Sequence, residues 1–254
     1  MERISVILIT LNEEKNLEAC LDGVRWADEI IIVDCGSRDR THELALKYTD
    51  QFHYRAWEGF SRQKAHALGL ASHEWVLSLD ADERVTEELA EEVQKATGGA
   101  ALDGFILKRD NYFLGKFMTG GGWQHDHQLR LFRRSRARVT DRLVHESFEV
   151  DGTVGRLANP LQHLAYASIS SAFGKINEYT SLEAIEYAAS RKSSGGAVVL
   201  HSLSAFLRYY VSRRGYRDGV HGLVLSLLNA ASTMLLYMKL WEIQQNDRTK
   251  TPGR

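Results

Sequence analysis

The stretch Ile4-Ser5-Val6-Ile7-Leu8-Ile9-Thr10-Leu11-Asn12-Glu13 begins as a short β-branched apolar run and ends in polar residues. Such a run suits a buried strand and is too short for a signal peptide's core plus cleavage site. A helical pattern follows from about Asn12, with Leu17, Cys20, Leu21 and Val24 along one face. The unit then repeats: strand Glu29–Val33, helix Thr41–Tyr48, a weaker strand over Gln51–Trp57, helix Arg62–Ala71, and strand Glu74–Leu79. Thr86 can cap a further helix whose first turn carries Glu87 and Glu88, the charge sign that end favours. Repeated strand–helix units of this length imply an α/β, Rossmann-like fold with a mostly parallel, doubly wound sheet. In such sheets ligands bind beyond the carboxyl ends of the strands. Three polar clusters stand there: Thr10-Leu11-Asn12-Glu13, Asp34-Cys35-Gly36-Ser37 and Asp80-Ala81-Asp82.

Beyond Gly98-Gly99 the pattern loosens into a strand at Gly104–Lys108, a mobile turn at Thr119-Gly120-Gly121-Gly122, and an alternating segment Gln128–Arg133. Helical sequence runs from about Ser168 through Tyr187 and again from Leu200 to Glu242. The longest apolar stretch, Leu223–Met238, contains Ser226, Asn229, Ser232 and Thr233 and falls short of the roughly 20 residues of a membrane span. It reads as a packed or interfacial helix. The expected division is a catalytic domain over 1–165, a C-terminal helical extension over 166–247, and a polar, disordered tail over 248–254.

Lys and Arg number 32 against 33 Asp and Glu, so the chain lacks the basic excess that marks a nucleic-acid partner. The two cysteines, Cys20 and Cys35, form neither a CxxC pair nor a disulfide framework, which fits a reducing, cytoplasmic compartment.

The segment Val76-Leu77-Ser78-Leu79-Asp80-Ala81-Asp82-Glu83 carries the chemistry: a buried strand ending in two carboxylates one residue apart. Asp80 and Asp82 make a hard-oxygen site for Mg²⁺ or Mn²⁺, which can neutralise a diphosphate leaving group. The alternative is a solvated turn whose acids cap the next helix. A metal-dependent nucleotidyl- or phosphotransferase would use the same carboxylates, but no GxxxxGKS/T phosphate loop is present. A non-catalytic nucleotide- or glycan-binding scaffold is the third reading.

Taken in order, Ile4–Glu13, Val33-Asp34-Cys35-Gly36-Ser37-Arg38-Asp39-Arg40-Thr41 and Leu79–Glu83 resemble the inverting family-2 glycosyltransferases of GT-A fold, and among them the lipopolysaccharide core (WaaE-like) enzymes. The pattern continues through Asp126-His127-Gln128-Leu129-Arg130-Leu131-Phe132, Val144-His145-Glu146 and Lys239-Leu240-Trp241-Glu242. The resemblance implies a nucleotide-sugar donor, UDP-linked, and a lipid-linked saccharide acceptor. It also places the enzyme peripherally on the inner face of the cytoplasmic membrane. It puts Thr10, Asn12, Glu13 and Ser37 beside the nucleotide, Asp34 at the base, Asp80 near the ribose, Asp82 on the metal and Arg62-Gln63-Lys64 near the nucleotide. Cys35 and Arg38 stand where small hydroxyl residues are usual in the family. Glu146 matches the family's His-Glu pair and is the expected catalytic base, with Asp126 in reserve. His163 is a candidate further metal ligand, or a core histidine between leucines.

Gln128 and Arg130 share one strand face and could hold pyrophosphate or acceptor, or form a structural salt bridge. His125 and His127 lack a thiolate cluster and read as a solvated acceptor-side loop. Phe206-Leu207-Arg208-Tyr209-Tyr210-Val211-Ser212-Arg213-Arg214-Gly215-Tyr216-Arg217 mixes aromatic rings with four arginines. That composition suits an anionic membrane surface, or else a packed amphipathic helix with solvated arginines.

Overall fold

The computed structural model describes residues 2–99, 101–140 and 147–250. In chain order the first elements are β1 (Ile4–Thr10), α1 (Leu17–Asp22), β2 (Glu29–Asp34), α2 (Thr41–Ala45), β3 (Phe52–Tyr54), α3 (Phe60–Leu70), β4 (Trp75–Asp80), β5 (Glu83–Arg84) and α4 (Glu87–Thr97). Then come β6 (Gly104–Phe113), β7 (Lys116–Phe117), β8 (His127–Arg133), β9 (Ala137–Val139), β10 (Phe148–Val150), β11 (Val154–Arg156) and β12 (Leu161–Tyr166). Three long helices close the chain: α5 (Ile169–Tyr187), α6 (Gly195–Leu207) and α7 (Val220–Lys250).

The chain forms two compact units, one of residues 1–110 and 125–163, the other of 111–124 and 164–254. The first holds the parallel strands β3-β2-β1-β4, continued through β8, β6, β12 and β5. The expected α/β architecture is therefore present, and β8 extends it antiparallel to both β4 and β6.

Side-chain alternation decides how the parallel sheet is covered. Val6 and Leu8 pack with Leu17, Cys20, Leu21, Leu89 and Val93 from α1 and α4 on one face. Ile7, Ile31, Val33 and Val76 meet Ala67, Leu68 and Ala71 at α3 on the other. Near-continuous apolar strands are what burial on both faces demands. The register sets Thr10 opposite Asp34 and Ile9 opposite Asp80, so the polar ends of three neighbouring strands finish at one edge.

Two expected helices are shorter than their patterns. α1 begins at Leu17 rather than near Asn12 because Asn12 is left-handed (φ 55°) and its backbone N–H is taken by Ser37 Oγ. α2 ends at Ala45 rather than Tyr48. α4 starts where Thr86 Oγ1 accepts from the Leu89 N–H, as its sequence requires.

In the second unit, α5 is entered through a Ser168–Ser171 capping box. The expected continuous helix from Leu200 to Glu242 widens into a π-helical turn over Arg208–Ser212 and is broken over 213–219. Arg214 is left-handed (φ 58°), and Gly219 has φ +62°. Asp218, 2% exposed, sits in this break. It accepts from the N–H and hydroxyl of Thr119 and from the Gly120 N–H, at 2.8–3.0 Å. The Gly121 N–H donates to the Arg213 carbonyl. The glycine-rich turn 119–122, expected to be mobile, is thus tied to the break. α7 also exceeds its apolar core: Val220–Asn246 is long and apolar enough by length and composition to cross a membrane, against the expectation from Leu223–Met238 alone. Leu225, Leu228, Leu236 and Leu240 are nevertheless buried within this unit.

Candidate active site

The edge is built from the β1 and β2 termini outward. Asp34, 3% exposed, accepts four hydrogen bonds. The Gly36 and Ser37 N–H groups reach Oδ1 at 2.8 and 2.7 Å, and the Thr10 and Ser37 hydroxyls reach Oδ2 at 2.9 and 2.5 Å. Four donors fill the lone-pair sites of a carboxylate. Asp34 therefore serves as the scaffold of its loop. The two loops are laced together: Asn12 Oδ1 accepts from the Arg38 N–H at 2.9 Å, and the Glu13 N–H donates to Thr41 Oγ1 at 2.8 Å. Cys35 lies on this loop, and burial beside the Asp34 charge pushes its thiol up to about 11, so it is a thiol rather than a thiolate.

On α3, Arg62 is exposed, whereas Gln63 and Lys64 are buried. Gln63 Nε2 donates to the carbonyls of Arg55 and Ala56 at 3.1 and 2.8 Å, while its buried Oε1 has no protein partner. Lys64 Nζ lies 3.6 Å from Asp80 Oδ1.

From Asp80 a chain of alternating charges crosses the sheet. Arg130 Nη2 on β8 donates at 2.5 Å to both Asp80 Oδ2 and Glu83 Oε1. Glu83, fully buried, also lies 3.2 Å from Arg109 Nη1 on β6, and its Oε2 accepts from the Asp80 N–H at 2.9 Å. Arg109 then meets Asp126 Oδ2 at 2.7 Å. Lys64, Asp80, Arg130, Glu83, Arg109 and Asp126 thus alternate in sign. Burial opposes the Asp80 charge, but Arg130 and Lys64 outweigh it and hold the carboxyl far below the usual range. Burial likewise opposes the Arg130 charge, and Asp80 and Glu83 overcome it.

Arg130 therefore forms an ion pair, and Gln128 turns along the strand to donate to Asp126 Oδ1 at 3.1 Å. Asp126, the reserve base, is committed to Arg109 and Gln128. Asp82 and His163 form a separate pair, Oδ2 to Nε2 at 3.7 Å, 12% and 16% exposed. Asp80 pairs with Lys64 and Arg130. Glu146 lies outside the described residues. His125 and His127 are exposed, with His127 Nδ1 3.1 Å from the His125 carbonyl.

Among the described residues no three carboxylate, thiol or imidazole groups are arranged to hold an ion by themselves. Asp82 and His163 still fit a divalent cation whose remaining ligands come from substrate, because Mg²⁺-type ions bind through one or two protein ligands plus phosphates and water. The hub residues Glu83 and Arg109 had no role in the sequence reading. The signals were there: a third acid directly after Asp-Ala-Asp, and Lys108-Arg109-Asp110 interrupting an apolar strand.

Residues 5–164, well over half the chain, match the family described as Glycosyl transferase family 2. The chain belongs to that family. It is 29% identical over 248 residues, 94% of this chain and 92% of the relative, to the lipopolysaccharide core biosynthesis glycosyltransferase LpsC of Rhizobium meliloti. It is 27% identical over 266 residues, 98% of this chain and 90% of the relative, to an uncharacterized glycosyltransferase of Rickettsia typhi. Among solved structures, S. aureus TarS 1–349 in complex with UDP-GlcNAc is similar with a TM-score of 0.52 at 15% identity, covering 96% of this chain and 92% of that one. That likeness is one of fold.

Proposed function

We propose that this glycosyltransferase moves a sugar, with inversion, from a UDP-linked donor to a saccharide carried on a lipid, assisted by Mn²⁺ or Mg²⁺. The observation that carries the reading is the charge chain through Asp80, with Asp82 two residues on and paired with His163, at the carboxyl edge of a family-2 sheet. The acceptor class follows the name of the Rhizobium relative, and the nucleotide follows the family resemblance together with the UDP-GlcNAc complex of TarS. The setting that goes with such an acceptor is the cytoplasmic face of a membrane.

In this reading Asp82 and His163 hold the ion, which when bound offsets the negative charge of the departing diphosphate. Lys64 and Arg130, buried and paired with Asp80 and Glu83, hold the Asp80 end of the edge in a fixed arrangement before substrate arrives. Thr10, Asn12, Glu13 and Ser37 border the nucleotide through a loop whose shape Asp34 sets. Glu146 accepts the proton of the acceptor hydroxyl.

Thermal unfolding with UDP, with Mn²⁺ and with both tests the site. A ligand at about 100 times its Kd adds about 2.7 kcal/mol, worth about 5–10 °C for a chain of this size. The rise is expected only with both present, and is expected to vanish in Asp82→Asn. Equal stabilisation by UDP without metal, retained in Asp82→Asn, would overturn the metal assignment.

A further inference from the structure

Helix α7 presents an unusual outer side. From Val220 to Trp241 the exposed residues are Val220, Leu223, Leu227, Met234, Met238 and Trp241, and every one is apolar. Their spacing places them on a single helical stripe opposite the buried Leu225, Leu228, Leu236 and Leu240. At about 1.5 Å per residue the stripe is about 30 Å long. The one charged side chain in this span, Lys239, is turned inward: its Nζ donates to the Asn177 carbonyl at 2.6 Å and to Thr180 and Ser181 hydroxyls at 2.9 and 2.7 Å. A solvent-facing helix normally alternates apolar and charged faces, so a charge-free outer stripe of this length marks an interaction surface.

The preceding segment supplies the complementary half. α6 carries exposed Val199, Leu200, Leu203 and Leu207, followed by Val211. The break between α6 and α7 exposes Arg208, Arg213, Arg214 and Arg217 together with Tyr216, which is 53% exposed. Asp218, the acid within that break, is buried and spent on Thr119 and Gly120, so it does not neutralise the turn from the outside. Exposed arginines and a tyrosine adjoining an apolar helix side are what an anionic lipid surface satisfies, headgroups meeting cations while acyl chains meet the stripe. The packed inner face of α7, with Ser226 buried, favours a helix lying along a bilayer over one surrounded by lipid.

We infer that the outer stripe of α7, bordered by the arginine turn, docks the protein onto an anionic bilayer as an interfacial helix. The inference deepens the reading of a lipid-borne acceptor by naming the surface that meets the lipid.

The test is flotation of the full chain with vesicles of phosphatidylcholine alone or with about 30% phosphatidylglycerol, at low and high salt. The unmodified protein should float with the anionic vesicles, and vesicles of brominated lipid should quench fluorescence that disappears in Trp241→Phe. Leu227→Asp combined with Met238→Asp should lower vesicle binding about tenfold or more at either salt. Arg208→Glu combined with Arg217→Glu should lower it at low salt only. Arg213 is avoided because its guanidinium packs against Gly122 as well as over Tyr209 at 4.8 Å, whereas Arg208 lies over that ring at 5.5 Å. Stabilisation by UDP with Mn²⁺ should persist in all three variants, separating failure of this surface from failure of the catalytic reading. An unmodified protein that binds neither vesicle overturns the inference. So does a dimer in solution that the aspartate variant dissociates while vesicle binding is unchanged, which makes the stripe a contact between copies. Unquenched Trp241 in a vesicle-bound protein overturns it even if the aspartate variant fails to fold.

Discussion

Replacing Glu83 with alanine removes the hub of the charge chain. The side chain is fully buried and receives Arg130 at 2.5 Å, Arg109 at 3.2 Å and the Asp80 N–H at 2.9 Å. Arg130 is only 5% exposed, so water cannot replace the lost partner. Removing one member of a buried ion pair typically costs about 3–5 kcal/mol, because an uncompensated charge remains. For a chain of this size each kcal/mol shifts Tm by about 2–4 °C, so Glu83→Ala should melt about 6–20 °C lower. Glu83→Gln keeps the shape and one acceptor but not the charge, and should fall between the alanine variant and the unmodified protein. Calorimetry at pH 7, with urea unfolding to check that the slope is unchanged, reads the effect. A Glu83→Ala protein melting within about 2 °C of the unmodified chain would refute the claim that this network organises the sheet edge.

Three further outcomes are expected. Glu146→Gln should cut turnover about a hundredfold or more with donor affinity unchanged in single-turnover and binding assays, and a collapse of donor affinity would instead make Glu146 a binding residue. Because the folded Asp80 carboxyl is held below its unfolded value of about 3.9, its stabilisation is complete above that pH and fades as pH falls toward the folded value. The stability deficit of Asp80→Asn, about 2 kcal/mol, should therefore stay constant from about pH 8 to pH 5 and narrow below about pH 4 in urea titrations. Gly222→Ala should cost more than about 3 kcal/mol by thermal melting, since a Cβ there would lie 1.8 Å from the Gly215 carbonyl oxygen. Gly219→Ala, in open space but at φ 62° and ψ −135°, which an L side chain rarely adopts, should cost about 1–3 kcal/mol.

Much of the α/β layer was legible because its signals are local. Ile4–Thr10, Glu29–Val33 and Glu74–Leu79 are apolar enough to read as buried strands, and the polar residues at their ends fixed which edge mattered. The antiparallel continuation was not legible, since the pairing of β8 with β4 depends on contacts far apart in sequence. The same limit applied to the site. Asp80 stood out in Asp-Ala-Asp, but nothing local announces that Arg109, Arg130 and Glu83 would interlock. Nor does the local sequence show that Asp34 accepts hydrogen bonds from Thr10, Gly36 and Ser37. The break between α6 and α7 was hidden because the buried Asp218 and the close approaches at Gly215 and Gly222 are tertiary facts.

The saturated Asp34 carboxylate has a thermodynamic corollary. Fixing a mobile loop costs about 1–2 kcal/mol of backbone entropy per residue, a sum normally charged against ligand affinity. Residues 10–14 and 34–41 are cross-linked by hydrogen bonds that involve the side chains of Thr10, Asn12, Ser37, Asp39 and Thr41. In the proposed reading, a nucleotide bound there would meet loops that the protein's own hydrogen bonds already join, so less of its contact energy would go into ordering them.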